Sequence, residues 1–244
     1  MSKTSYRVGD LITETDPFSW LLRVAYWERM CATCFRTSAN APSLLRCSGC
    51  KNLRYCSKLC QRNDWRSHKI VCPQISSILA SNKYSDADVI LLLVQSLFDL
   101  KFKLELCCST EGRVVCGSSH FHSMSDYGAD NEIITESDRR IISTVNELSG
   151  YSAIEVSKAL RLFRANNFGI TDSLLNCVGM GVYPHAAILN HSCSPNCILR
   201  FTFTSKGPIL KVRAVHIVVY VGCGGYMVCG EYEVGGGMWG VLGM

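Results

Sequence analysis

The chain has 244 residues, room for one substantial domain and a small module beside it. Its 48% hydrophobic and 18% charged residues support a packed core and exclude general disorder. The net charge of +5 is local: residues 31–72 hold eight Lys or Arg against the single Asp64, which puts +7 there and −2 on everything else.

The opening, MSKTSYRVGDLITETD, is polar throughout and does not read as a signal peptide. No stretch has the length of uncharged apolar sequence that a bilayer span needs, so no membrane role is expected. Residues 8–22 alternate loosely around a Gly9-Asp10 turn and read as one or two strands.

Seven cysteines and a histidine follow: Cys31, Cys34, Cys47, Cys50, Cys56, Cys60, His68 and Cys72, spaced C-x2-C-x12-C-x2-C-x5-C-x3-C-x7-H-x3-C. A closed structural zinc site takes four S or N ligands, so eight make two complete sites. Disulfides would need an oxidising compartment. Fifteen cysteines without a secretory signal point instead to metal binding in a reducing one, cytoplasmic and/or nuclear. Spacing alone allows the ligands to pair sequentially or interleaved. Seven thiolates and two zinc ions would leave about +4 on the folded module, a modest basic surface. Direct nucleic-acid recognition is therefore not expected.

Ser85-Asp86-Ala87-Asp88 resembles a capping box that opens a helix through Val89–Val94, Leu97 and Phe98. Residues 107–130 lack periodicity and read as an irregular loop. Ile141, Ile142, Val145 and Leu148 have helical spacing. Ser152 and Glu155 form a second capping box, before a helix with Val156, Ala159, Leu160 and Phe163 on one face. The segments 198–204 and 208–215 alternate and flank Ser205-Lys206-Gly207, the pattern of a hairpin. Between helix and hairpin lies GVYPHAAILNHSCSPNC (181–197), a polar cluster beside an apolar run. On its own it reads as a turn satisfying local backbone groups, with a Cys–His nucleophile pair as a lesser alternative.

Two motifs carry a family resemblance. The cysteine–histidine spacing, with its basic and aromatic filling RCSGCKNLRYCSKLCQRNDWRSHKIVC, resembles the MYND zinc finger. The run Asn190-His191-Ser192-Cys193 followed by Pro195-Asn196 resembles the central motif of SET domains. Together, in this order, they resemble the SMYD family of SET and MYND domain protein-lysine methyltransferases.

That resemblance implies an α+β fold: a split SET-type β-core with an inserted MYND finger and a helical insert. It implies an N-terminal SET piece over 1–30, the finger over 31–72, a helical insert over 73–165, a core SET segment over 166–217 and a divergent tail over 218–244. It implies interleaved zinc ions, one on Cys31, Cys34, Cys56 and Cys60, the other on Cys47, Cys50, His68 and Cys72. Asn190, His191 and Asn166, with Asn167 as fallback, match residues that contact S-adenosylmethionine. Cys193 matches a ligand of a third zinc. Family members act on lysines of histones or other proteins, and MYND fingers bind short proline-containing peptides.

The chain departs from the pattern in three places. The glycine loop of the opening strand and the cysteines after the SET core are absent, with Cys223 and Cys229 at the wrong spacing to replace them. Where a catalytic tyrosine is expected the chain has Val228, with Tyr226 two residues away. No catalytic residue is assigned. The 218–244 tail, with 9 glycines in 27 residues, reads as an ending foreign to the family, the alternative being a Gly-rich edge strand. The SET domain is thus expected to be incomplete at both ends and cofactor binding weak. From another class of function, the competing expectation is a non-catalytic, zinc-binding interaction module acting through the finger.

Overall fold

The computed structural model describes residues 3–40, 43–107, 134–187, 189–191, 195–215, 218–221 and 228–229. Strands β1 (Lys3–Tyr6), β2 (Leu11–Thr15) and β3 (Ser19–Leu22) precede the finger, with Gly9 (φ 89°) taking the turn between the first two. The finger contributes the two-residue strands β4 (Leu45–Arg46) and β5 (Arg54–Tyr55) and helix α1 (Lys58–Val71). Helices α2 (Ile75–Ser81), α3 (Tyr84–Cys107), α4 (Glu136–Ser149) and α5 (Ala153–Asn166) follow. The chain then turns to strands: β6 (Asn167–Thr171), β7 (Cys177–Val182), β8 (Asn190–His191), β9 (Cys197–Thr204) and β10 (Gly207–Ala214). Two more, β11 (Val218–Val221) and β12 (Val228–Cys229), lie in the glycine-rich stretch. Helices and antiparallel sheets make this the expected α+β fold.

Two three-stranded antiparallel sheets, ordered β3-β7-β6 and β2-β10-β9, form the β-core. The segments read as a hairpin are β9 and β10, paired in register from Gly207↔Thr204 to Ala214↔Cys197. On β10, Leu210, Val212 and Ala214 are buried and their neighbours half-exposed, the period-two pattern of a strand with one wet face. The sheets meet through aromatic rings. Tyr183 lies 5.9 Å from Phe168 and 5.8 Å from Phe201, and its hydroxyl donates to the Pro208 carbonyl at 2.8 Å. A Cβ on Gly207 would sit 2.9 Å from the Trp20 indole, so that contact needs glycine.

Helix α3 is apolar and buried through its middle turns. Ile90, Leu91, Leu92, Leu93 and Val94 are buried in succession, and α1, α4, α5, β3 and β7 pack against it. The expected capping box does not form. The helix starts one residue earlier, at Tyr84, with the Ala87 amide already bonded to the Lys83 carbonyl at 2.9 Å. Both aspartates are buried and used across the fold instead. Asp86 accepts from Ser137 at 3.0 Å and pairs with Arg140 at 3.5 Å. Asp88 accepts from the Val24 amide at 2.8 Å and from Arg23 Nε at 3.1 Å, capping from a distance the 3-10 turn after β3. Burial lifts the Asp88 carboxyl above its ordinary value, against the pull of those two donors.

Helices α4 and α5 start on reciprocal capping boxes, Thr135 with Asp138 and Ser152 with Glu155. Gly150 closes α4 in the left-handed region at φ 73°. Ile141 and Val145 on α4, and Val156, Leu160 and Phe163 on α5, are buried, while Ala159 is half-buried. Asp138 does double duty, capping α4 and pairing with Arg164 of α5. Burial alone would raise its pKa, but the bonds from Thr135 and Arg164 outweigh that and hold the carboxyl below the usual range. The loop expected over 107–130 falls almost wholly outside the described residues.

Strand β11 pairs antiparallel with β1, Lys3↔Val221 to Tyr6↔Val218, and β12 pairs parallel with β8, Val228↔Asn190 and Cys229↔His191. No helix among the described residues is long and apolar enough to cross a membrane.

Candidate zinc centres and cofactor wall

Each Cys-x2-Cys pair sits on the same tight turn. The Phe35 amide bonds back to the Cys31 carbonyl and the Lys51 amide to the Cys47 carbonyl, both at 3.0 Å. The residue after each second cysteine is left-handed, Phe35 at φ 55° and Lys51 at φ 58°. Non-glycine residues adopt this conformation at a cost on the order of 1 kcal/mol. The turns are tied to the rest of the finger by the Ala32 amide on the Arg54 carbonyl, the Cys47 amide on the Leu53 carbonyl and the Thr33 hydroxyl on the Cys60 carbonyl.

Of the remaining ligands, Cys56 follows β5, Cys60 and His68 lie on α1, and Cys72 caps the end of that helix. Ser57 caps α1 by accepting from the Cys60 amide at 3.1 Å, which fixes the helix's first turn at Cys56–Cys60. Cys60, Asp64, His68 and Val71 are its buried residues. At 1.5 Å rise per residue, Cys60 and His68 are about 12 Å apart along the axis. One tetrahedral site cannot span that distance, so α1 has to serve two.

The structure groups the ligand atoms accordingly. Cys31, Cys34, Cys56 and Cys60 form one cluster and Cys47, Cys50, His68 and Cys72 the other, all atoms in each within 4.8 Å of one another. Tetrahedral zinc with bonds of about 2.3 Å to sulfur and 2.0–2.1 Å to nitrogen has edges of roughly 3.8 Å (S–S) and 3.6 Å (S–N). The separations fit that tetrahedron: 3.4 Å for Cys34–Cys56, 3.6 Å for Cys56–Cys60 and 3.8 Å for Cys47–Cys72, with His68 Nε2 at 3.6 Å from Cys50 and 3.3 Å from Cys47. They are far from the roughly 2.05 Å of a disulfide, and no disulfide joins the seven ligand cysteines.

The electrostatics suit metal. Burial pushes His68 down to about 4, so at neutral pH its imidazole is the neutral form that binds zinc. Among the crowded thiols, the bond from Cys34 pushes Cys31 down to about 5 while Cys34 itself is pushed up. Between the clusters, Tyr55 donates to Asp64 at 2.6 Å, and burial lifts that carboxyl to about 6. The chain thus has two Cys/His zinc sites.

Beside the second cluster is a surface depression of about 360 Å³ lined by Cys47, Ser48, Gly49, Gln61, Arg62 and Trp65. Trp65 is 48% exposed there. Neither residue periodicity nor the cysteine spacing singled out this tryptophan.

Of the residues matched to the cofactor, Asn166 ends α5 and is wholly buried. Its amide nitrogen donates to the Leu162 carbonyl at 2.8 Å, and its backbone carbonyl accepts the Tyr183 amide at 2.9 Å. Among the described residues no donor reaches its buried Oδ1, nor Oδ1 of the adjacent Asn167. A buried acceptor left open in this way fits a ligand that brings a donor. S-adenosylmethionine has several: its ammonium, its two ribose hydroxyls and its adenine amino group. Asn190 and His191 are placed as backbone in β8, and their side chains lie outside what the structure describes, as do Cys193, Cys223 and Tyr226.

Comparison with known proteins joins the two halves. Residues 31–72 match the family model of the MYND finger. Over 216 residues the chain is 30% identical to N-lysine methyltransferase SMYD2 of Mus musculus, covering 86% of this chain and 46% of that protein. Histone-lysine N-methyltransferase SMYD3 of Homo sapiens is 29% identical over 87% of this chain and 48% of its own length. Histone-lysine N-methyltransferase ASHR1 of Arabidopsis thaliana is 24% identical over 80% and 40%. The chain spans about half the length of the curated relatives it matches. The chain therefore carries a MYND finger, and its similarity to SMYD proteins runs through the finger and on across the β-core.

Proposed function

We propose that the chain is an S-adenosylmethionine-binding SET protein of the lysine methyltransferase lineage, with Asn166, Asn190 and His191 as one wall of the cofactor site. The observation that carries this reading is the orphaned, wholly buried Oδ1 of Asn166, at the point where α5 hands over to β6. The cofactor supplies a methyl group on a sulfonium; the protein's part is to orient an unprotonated lysine amine and exclude water. The substrate class is a lysine on a histone or another protein, in the cytoplasm or nucleus, where thiolate–zinc sites persist.

Binding is expected to be weak, because a single wall leaves the cofactor solvated and gives few contacts to offset the entropy lost. Calorimetry with S-adenosylmethionine on the 244-residue protein tests this. Weak saturable binding that falls about tenfold or more in Asn190→Ala supports the reading. Absence of binding heat up to about 1 mM ligand would remove it.

The finger carries a second reading, as a docking module for proline-containing peptides. It rests on the half-exposed Trp65 ring in the depression beside the second zinc cluster, next to Gln61 and Arg62. Proline stacks well on an exposed indole, and its restricted backbone loses little entropy on binding. A proline-rich peptide titrated into the protein should change tryptophan fluorescence. Trp65→Ala should weaken binding about tenfold or more while both zinc ions stay bound. Equal affinity in the variant would place docking elsewhere.

A further inference from the structure

The finger does not merely sit beside the β-core; one of its side chains is inside it. Phe35, the left-handed residue next to ligand Cys34, is 3% exposed. Its ring stacks on Phe203 of β9 at 5.1 Å and 13°. Gly179 of β7 also lies against the ring, where an added Cβ would come within 2.5 Å of it. A residue of the first zinc turn thus packs against strands of both sheets. A second tie holds the same hairpin, with Asn63 of α1 donating to the Ser205 carbonyl at 2.6 Å. At its far end, β7 leads into Tyr183, whose amide bonds to the Asn166 carbonyl. The second cluster has no such peg: Lys51, the residue equivalent to Phe35, is exposed.

We propose that the first zinc site is a metal-dependent latch on the β-core, with Phe35 as the positioning residue that transmits its occupancy to β7. With zinc bound, four ligands hold the 31–35 turn and keep Phe35 in its strained left-handed conformation. Without zinc the two cysteines of the turn lose their common anchor, the hydrogen bonds and ring packing that remain must hold the strained turn alone, and it relaxes and draws the ring away from Gly179 and Phe203. Strand β7 then loses a packing partner along the segment that leads to Asn166. The link to cofactor binding rests on the reading given above; the latch itself does not.

Hydrogen exchange over 177–182 and 197–204 in the full chain tests the latch without any cofactor. Phe35→Gly removes the ring while suiting the positive φ, so both zinc ions should remain. Exchange in these segments should rise about tenfold or more in Phe35→Gly and in the one-zinc variant Cys34→Ser. In Cys50→Ser, which empties the other site, it should stay within about twofold of the parent. Unchanged exchange in a two-zinc Phe35→Gly protein would overturn the proposal. So would Cys50→Ser loosening β7 as much as Cys34→Ser.

Discussion

Purified protein should contain two zinc ions per chain, and Cys50→Ala or His68→Ala should leave one. The finger has little core of its own. Tyr55, Leu53 and Val71 are buried, but Leu45, Leu59 and Trp65 each remain about half exposed. Metal must therefore supply most of its folding free energy, on the order of 10 kcal/mol for a structural site. A three-ligand site loses most of that, and the second cluster ties β4, β5 and the C-terminal half of α1 together. The part held by the second cluster, residues 43–55 and 68–72, should become protease-sensitive while the first site keeps its ion, and Cys177→Ala, outside both clusters, should keep two ions. Acid should release the metal too, because protons compete for the thiolates and for the neutral imidazole of His68. Elemental analysis with limited proteolysis checks both parts.

Asp88→Ala should be strongly destabilising although the residue lies outside the finger. It removes the acceptor for the Val24 amide and the partner of Arg23 where Asp88 is 3% exposed. The Val24 N–H would be left without its acceptor and the Arg23 guanidinium, about one-third exposed, without its counter-charge. Losses of this kind cost about 2–4 kcal/mol together. Asp88→Asn keeps an acceptor for Val24 and should cost less than half as much. Urea denaturation resolves the difference as a shift in midpoint at constant slope. An Asp88→Ala protein as stable as its parent would mean that β3 does not depend on this tie to α3.

How much of this was legible in the sequence depends on how local each feature is. The Ser152–Glu155 capping box and the 197–214 hairpin are set by neighbours within a few residues, and both appear where the pattern put them. The ligand set of the finger was equally plain, but its pairing was not. Spacing permits two arrangements, and the rise of α1 between Cys60 and His68 selects one. Asp86 and Asp88 misled because a carboxylate early in a helix looks like a cap. Whether it caps locally or reaches Arg23, Val24 and Ser137 depends on long-range packing. Phe35 was silent for the same reason: its role needs Gly179 and Phe203, which lie 144 and 168 positions away. In the glycine-rich stretch, residues 218–221 and 228–229 find partners in β1 and β8 that composition could not name.

The proposed lineage is tested most directly by methyl transfer. Labelled S-adenosylmethionine would be incubated with the zinc-loaded protein and a lysine-bearing acceptor such as histone, alongside Asn190→Ala. In the proposed reading Asn166, Asn190 and His191 bind the cofactor, but Val228 stands where the family resemblance calls for a tyrosine hydroxyl to orient the amine. The account predicts cofactor binding that depends on Asn190, with transfer within about tenfold of the no-protein background. Multiple turnovers that vanish in Asn190→Ala would contradict it and show a complete active site.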